Sequence, residues 1–226
     1  HDDRYKETEA EQWSDQLAMS EVEGLSQLIG LSIDKFRQLE ELYPREMNEA
    51  QKRVFDCPID MGGSGALSLI YYLVRNYRAE NVLETGVGYG WSSLALLLAQ
   101  QGVPNAKLIS VDMPYAKANN EQYVGCAVPK PITGSWTLMR LPDRSGIPKA
   151  IRKLRTLDLC HYDSDKSYSG RKWAYPLIWK AIKRGGVFIS DDIENNVAFK
   201  EFAESTGCKP VIVAAHGKRV GVLIKK

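Results

Sequence analysis

With 226 residues, 44% of them hydrophobic, the chain has enough apolar material for one full-sized domain with its own core. Its 30 basic and 28 acidic residues leave a net charge of +2 with no run of like charge, which argues against a nucleic-acid partner. No apolar run reaches transmembrane length and no signal-peptide pattern opens the chain, so no membrane partner is expected, although a start at His1 rather than Met leaves room for a preceding targeting segment.

The four cysteines, Cys57, Cys126, Cys160 and Cys208, are scattered and form no C-x-x-C pair. They read as reduced, mostly buried thiols of a cytoplasmic protein rather than as a zinc site.

Residues 1 to about 20 are polar and acidic, and both a helix and a mobile arm fit them. Leu25, Leu28, Ile29, Ile33, Phe36, Leu39 and Leu42 then recur at helical spacing, interrupted at Gly30. Tyr43-Pro44 ends one helix, and Arg45 to Phe55 starts another. Residues 1–57 are therefore expected to form an N-terminal helical extension, followed by a main domain over 58–226. Packing, a lid over the substrate and a homodimer surface are all open uses of that extension. The Gly-rich loop from Cys57 to Gly65 precedes a helix over Ala66–Tyr77, whose apolar side carries Leu67, Ile70, Tyr71 and Val74. Met61, Gly62 and Gly63 are candidates to line a site at the sheet edge.

The stretch Asn81-Val-Leu-Glu-Thr-Gly-Val-Gly-Tyr-Gly90, followed by Trp91 to Gln100, organises the rest. Val82 and Leu83 end a buried strand, the three glycines make a turn, and the following run is a helix with Ser92 and Ser93 in its first turn. Strand, glycine turn and helix bring backbone N–H groups and a positive helix end up to a ligand. The dinucleotide fingerprint G-x-G-x-x-G/A would place its third small residue at Trp91, a poor fit. The carboxylate of Glu84, just before the turn, would repel a pyrophosphate and attract a cationic ligand.

Lys107 to Asp112 reads as a second strand ending in an acid. Ligands of doubly wound sheets lie at the carboxyl ends of the strands, so Asp112 is placed to accept two ribose hydroxyls; the competing reading is an acid that opens the turn at Pro114. Met113 to Pro131 shows no strong period, and Trp136 to Arg140 is a short strand. Leu141 to Pro148 is expected as a loop, with Lys149 to Leu154 a basic helical turn. Leu157 to Asp163 is the next strand, Gly170 to Lys183 a helix closed by Arg184-Gly185-Gly186, and Val187 to Ser190 a strand leading into Asp191-Asp192. A helix over Asn195–Ser205 precedes two strands, Pro210–Ala215 and Val220–Ile224, that form a hairpin about His216-Gly217-Lys218.

Adjacent parallel strands would bring Asp163, Asp191 and Asp192 together. Three converging carboxylates repel one another, and a divalent cation relieves that repulsion most simply. Oxygen donors without histidine or thiolate favour magnesium, then manganese or calcium.

The pattern Glu84-x-Gly86-x-Gly88-x-Gly90 resembles motif I of the class I S-adenosylmethionine-dependent methyltransferases. The resemblance implies an α/β fold: a doubly wound, mostly parallel seven-stranded sheet with an antiparallel C-terminal hairpin. It also implies that Glu84, Gly86, Gly88, Gly90 and Ser92 lie near the amino acid part of the cofactor, with Asp112 on its ribose. Asp143 and Ser145 fall where this fold contacts the adenine edge. Leu157-Asp158-Leu159 before Asp163, Ser167-Tyr168 after it, and Arg184-Gly185-Gly186-Val187 before Asp191 resemble the metal-dependent O-methyltransferases of the catechol and macrocin types. This implies Asp163, beside the cofactor, as first metal ligand and Asp191 and Asp192 as the paired ligands. The macrocin-like Asp-Gly-Asp-His-Ser-Tyr is here Asp163-Ser164-Asp165-Lys166-Ser167-Tyr168. Catechol-type members carry their general base, a Lys, at that place, which casts Lys166 as base, against the plainer reading of a solvated turn lysine. His161, inside the strand, reads as a packed residue.

The expected activity is metal-assisted methylation of a small-molecule hydroxyl: catechol or phenol, sugar or polyketide. A metal-independent methyltransferase, an NAD-dependent oxidoreductase (disfavoured by Trp91) and a non-catalytic binding protein on the same scaffold are the rival readings.

Overall fold

A computed structural model describes residues 2–114 and 121–226. The middle of the Met113–Pro131 segment therefore lies outside the described residues. The strands are β1 (Ala18–Met19), β2 (Asn81–Thr85), β3 (Lys107–Asp112), β4 (Trp136–Arg140), β5 (Leu157–Tyr162), β6 (Ile182–Ser190), β7 (Val211–Ala215) and β8 (Lys218–Ile224). Among the described residues they form one sheet in the order β1-β7-β8-β6-β5-β2-β3-β4. All neighbours pair in parallel except β8, which runs antiparallel to both β6 and β7. The chain folds as the class I methyltransferase sheet with its terminal hairpin. His216 and Gly217, both at positive φ, make the two-residue turn of that hairpin.

The sheet is covered on both sides because successive residues of a strand point to opposite faces. Val82, Leu108, Leu159, Val187 and Ile189 enter the core under α5 (Leu67–Tyr77) and α6 (Trp91–Gln100). Their neighbours Leu83, Ile109, Cys160 and Phe188 enter the second core, under α7 (Asp143–Leu154), α8 (Tyr168–Ala181) and α9 (Ala198–Thr206). Near-continuous apolar runs in the central strands follow from burial on two faces. No helix among the described residues is long and apolar enough to cross a membrane.

Three expectations change. The N-terminal segment is helical in α1 (Asp2–Leu17), α2 (Glu21–Ile29), α3 (Leu39–Leu42) and α4 (Pro44–Phe55), with Gly30 capping α2 in the left-handed conformation. Yet its residues Ala18 and Met19 also add an eighth strand, pairing with Ile212 and Val213. Two residues are too few to show a strand period; only the open edge of β7 makes them one. Second, Leu141–Pro148 is not a loop: α7 begins at Asp143 and carries Pro148 within it. Pro148 removes one helical hydrogen bond, but the helix buries Ile147, Ala150 and Leu154. Gly146 lets the helix approach β3 so closely that a Cβ there would lie 2.3 Å from Val111. Third, α8 stops at Ala181 and residues 182–186 already belong to β6, with a register shift opposite Leu157–Leu159 and Gly185 at φ 75°.

Candidate active site

The carboxyl ends of β2, β3, β5 and β6 open into a cavity of about 740 Å³. Met61, Gly62 and Gly63 line it, as the sequence suggests, and the hydroxyl of Tyr89 ties their loop to the glycine turn by donating to the Ile59 carbonyl at 2.7 Å. Of the sequence-predicted residues, Gly86, Gly88, Ser92, Asp112, Asp143, Asp163, Lys166 and Asp191 share its wall.

The glycine turn is shaped by close approach. Gly86 has φ 78°, and a Cβ there would lie 2.3 Å from the Asp163 carbonyl oxygen. At Gly88 (φ 52°) it would lie 2.8 Å from the carbonyl oxygen of Met61. Both positions therefore exclude side chains for conformational and steric reasons together.

Four predicted residues stand outside the cavity wall. Glu84 is fully buried beneath the turn, where it accepts hydrogen bonds from the hydroxyls of Ser92 (2.6 Å), Ser93 (2.6 Å) and Ser110 (2.5 Å). A carboxylate withdrawn from water takes the nearest donors, and three hydroxyls lie within reach. Burial still raises its pKa. Gly90 caps α6 at φ 87° and backs onto Gly125 instead of the cavity. Ser145 is exposed and donates to the Pro142 carbonyl within the first turn of α7. Asp192 turns to two lysines, as described below.

Asp112 faces the cavity with both oxygens engaged. Oδ2 accepts from the amides of Val87 (2.7 Å) and Gly88 (3.0 Å), and Oδ1 pairs with Arg140 at 2.6 Å. The carboxylate thus holds the glycine turn in shape; ribose hydroxyls would use its remaining lone pairs. Asp143, half-buried at the start of α7, accepts from Ser164 Oγ at 2.6 Å, and burial raises its pKa.

At the other end, the pairing of Tyr162 with Ser190 sets Asp163 beside Asp191. Each acid already has a cation. His161 Nε2 lies 3.2 Å from Asp191 Oδ1; burial lowers the histidine pKa, but Asp191, with Asp163 and Glu84, raises it to about 9. Burial likewise works against ionised Asp191, yet His161, with Lys218 and Lys166, lowers its pKa. Lys166 bridges Asp163 (3.2 Å from Oδ1) and Asp192, and Lys218 lies 3.3 Å from Asp192 Oδ1. Asp163 is raised to about 6 by burial and by Asp191, against the pull of Lys166 and His161. Lys166 is lowered by burial but raised more by Asp163 and Asp192, to about 12. The lowered pKa expected of a lysine base is not met in this arrangement, because two carboxylates stabilise its ammonium form.

Among the described residues no three of the His, Cys, Asp and Glu side chains form a ready metal-ligand group. The donor chemistry nonetheless suits a hard cation. Asp163 Oδ1 is turned to the Lys166 ammonium at 3.2 Å, a cation that a metal could replace, and a Cβ on Gly65 would lie 3.3 Å from Asp191 Oδ2, which opens towards the Gly-rich loop. Asp192 would have to exchange its lysines for the metal.

Sequence reasoning missed two residues and understated a third. In the sequence Lys218 stands out only as part of a hairpin turn, and Ser164 only as the residue that follows Asp163. His161 was read as packed; it is, at 1% exposure, yet it borders the cavity and pairs with Asp191. The signal available for His161 was its position two residues before Asp163, which puts both side chains on one face of the strand.

Comparison with known proteins agrees with this geometry. Residues 83–193 match a family model described as a methyltransferase domain. The match begins inside β2 and ends just past Asp192, enclosing both ends of the cavity. No curated protein matches the chain. Among solved structures, the cofactor-bound Rv0187 from MTB is 14% identical, with a TM-score of 0.61 over 89% of this chain and 94% of that one. The O-methyltransferase TomG from Streptomyces achromogenes, solved with SAM, is 16% identical, with a TM-score of 0.60 over 92% and 100%. An O-methyltransferase from Bacillus cereus, solved with SAH, is 11% identical, with a TM-score of 0.57 over 94% and 100%. At these identities the likeness is one of fold.

Proposed function

We propose that the protein transfers a methyl group from S-adenosylmethionine to a hydroxyl oxygen of a small molecule. The observation that carries this reading is a single cavity bounded at one end by the glycine turn and Asp112 and at the other by Asp163, Asp191 and Lys166. A nucleoside fits the first end; a reacting hydroxyl fits the second. The solved neighbours that hold SAM or SAH and are described as O-methyltransferases support the choice of cofactor and acceptor atom.

The reaction forms one acceptor O–CH3 bond and breaks one S–CH3 bond. The sulfonium becomes a neutral thioether, S-adenosylhomocysteine, and the acceptor proton leaves to a base. Asp112 orients the ribose and, through Val87 and Gly88, the turn beneath the cofactor. The loop of Met61 to Gly65 shields the reacting atoms from water, so the chain mainly positions two reactants in line.

Divalent-metal dependence is the finer reading. Asp163, Asp191 and Asp192 would hold the ion. When bound, such an ion lowers the pKa of a coordinated hydroxyl and fixes its position. Lys166 lies where the acceptor proton would go, and serves as base only when Asp163 and Asp192 are drawn off its ammonium group. The ammonium groups of Lys166 and Lys218 on these acids favour a second reading, metal-independent transfer with the chain's own cations balancing the site.

The test is a binding and turnover screen with S-adenosylmethionine across catechol, phenolic, sugar and polyketide acceptors, with and without magnesium. Cofactor binding and methyl transfer to oxygen are expected, with Asp191→Ala losing turnover while its cofactor affinity stays within about threefold. No methyl transfer to any acceptor would sink the enzymatic reading; full activity in the presence of a chelator would leave the metal-independent one.

A further inference from the structure

The last residues of β6 alternate between the two faces of the sheet. Phe188 and Ser190 point towards α8, where the hydroxyl of Ser190 meets that of Tyr175 at 2.8 Å. Ile189 and Asp191 point the other way, towards α5 and the loop of Met61 to Gly65. The next residue leaves the strand: Asp192 is left-handed, at φ 52° and ψ 41°, and only 6% exposed. Aspartate tolerates this region better than most residues, yet a buried one stays there only where its surroundings hold it.

Arg171, in the first turn of α8, supplies the hold. It is fully buried, and its Nη2 donates to the carbonyls of both Asp191 (3.0 Å) and Asp192 (2.8 Å). Consecutive carbonyls of an extended strand point in opposite directions and cannot share a donor; in a helical turn of either hand they point the same way. The left-handed turn at Asp192 therefore lets one nitrogen serve both oxygens, and the Asn195 amide adds a bond to the Asp192 carbonyl at 3.2 Å. A guanidinium keeps its charge at physiological pH, and a charged donor binds a carbonyl more strongly than a neutral one. With both carbonyls turned to Arg171, the carboxylates point elsewhere: Asp191 towards His161 at the cavity wall, Asp192 towards Lys166 and Lys218.

We propose that Arg171 is a positioning residue for the acidic end of the cavity: it holds the left-handed backbone at Asp192 and thereby aims the carboxylates of Asp191 and Asp192. Its bearing on catalysis rests on the reading of that end as the place where the acceptor reacts; its hold on the backbone does not. Arg171 touches neither reactant. Without it, Asp192 leaves the left-handed region, and its carboxylate turns away from Lys166 and Lys218.

The experiment compares the full wild-type chain with Arg171→Met and Arg171→Lys by NMR, reading the backbone conformation of Asp192 from its carbon chemical shifts. Left-handed values are expected in the wild type and in Arg171→Lys, which keeps a charged donor. They are expected to be lost in Arg171→Met, with the shifts of Glu84 to Gly90 unmoved. Left-handed values retained in Arg171→Met overturn the proposal, as does an equal displacement of the glycine turn, which a merely structural role would give. In turnover, Arg171→Met should lose about tenfold or more in kcat while its S-adenosylmethionine affinity stays within about threefold; an unchanged kcat overturns the positioning role. A wild-type protein that methylates no acceptor sinks the methyl-transfer reading instead, and the backbone shifts still decide what Arg171 holds. Should Arg171→Met fail to fold, the wild-type guanidinium carries the test. Its Nη2 protons are expected as resolved resonances coupled through the hydrogen bonds to the Asp191 and Asp192 carbonyl carbons; a freely rotating, averaged set overturns the proposal.

Discussion

The two ends of the cavity hold their carboxylates in opposite ways. At the glycine end, Glu84 is closed off by three hydroxyls and Asp112 by two backbone amides and Arg140. At the acidic end, Asp163, Asp191 and Asp192 are held by His161, Lys166 and Lys218, and both lysine side chains are partly exposed. The first arrangement is made of short, directional bonds between buried groups and has one geometry. The second rests largely on charge, tolerates exchange of one cation for another, and is the end where chemistry with a changing charge can be accommodated. A rigid cofactor platform beside an exchangeable ionic end is what a two-substrate transfer requires.

The largest predicted effect comes at the joint between the two. Gly86→Ala combines a positive φ with a Cβ 2.3 Å from the Asp163 carbonyl oxygen, so β2 and β5 must move apart. A loss of roughly 2–4 kcal/mol in a urea unfolding titration is expected, together with loss of cofactor binding. Unaltered stability would mean that the two ends are not rigidly joined.

An intermediate effect belongs to Glu84→Gln, because the amide nitrogen of glutamine cannot accept a hydroxyl proton; a cost of about 1–3 kcal/mol is expected. The sign of its pH dependence is set by burial. The folded pKa of Glu84 is raised, so its contribution is complete below the unfolded value and is lost as pH rises through the folded one. Melting temperatures across the acid range should show the wild-type advantage over Glu84→Gln shrinking as pH increases. A growing advantage would break the account of the glycine end.

The smallest effect is expected at the ionic end. Lys218→Met removes one of two ammonium groups from Asp192, but the lysine side chain is 30% exposed and solvent screens the pair. A change within about 1 kcal/mol is predicted, smaller still at high salt. A loss as large as that of Gly86→Ala would erase the contrast between the two ends.

Much of this was legible along the chain. β2, α6, β3 and β4 fall at the predicted residues because each is a continuous apolar or periodic run with a turn signal at both ends. The meeting of Asp163 and Asp191 also followed from order alone, since adjacent parallel strands align their ends. What misled was local chemistry. Pro148 and Gly146 read as loop residues, while α7 exists because its apolar side packs on β3. Glu84 read as facing a ligand, while the three serine hydroxyls that enclose it come from two separate elements.

Residue spacing alone was enough for the glycine turn and for which acids stand at the strand ends, because these depend on apolar runs and on where they stop. Where each charge goes had to wait for the packed fold. Whether a carboxylate meets hydroxyls, amides, a histidine or two lysines depends on side chains brought together from distant parts of the chain.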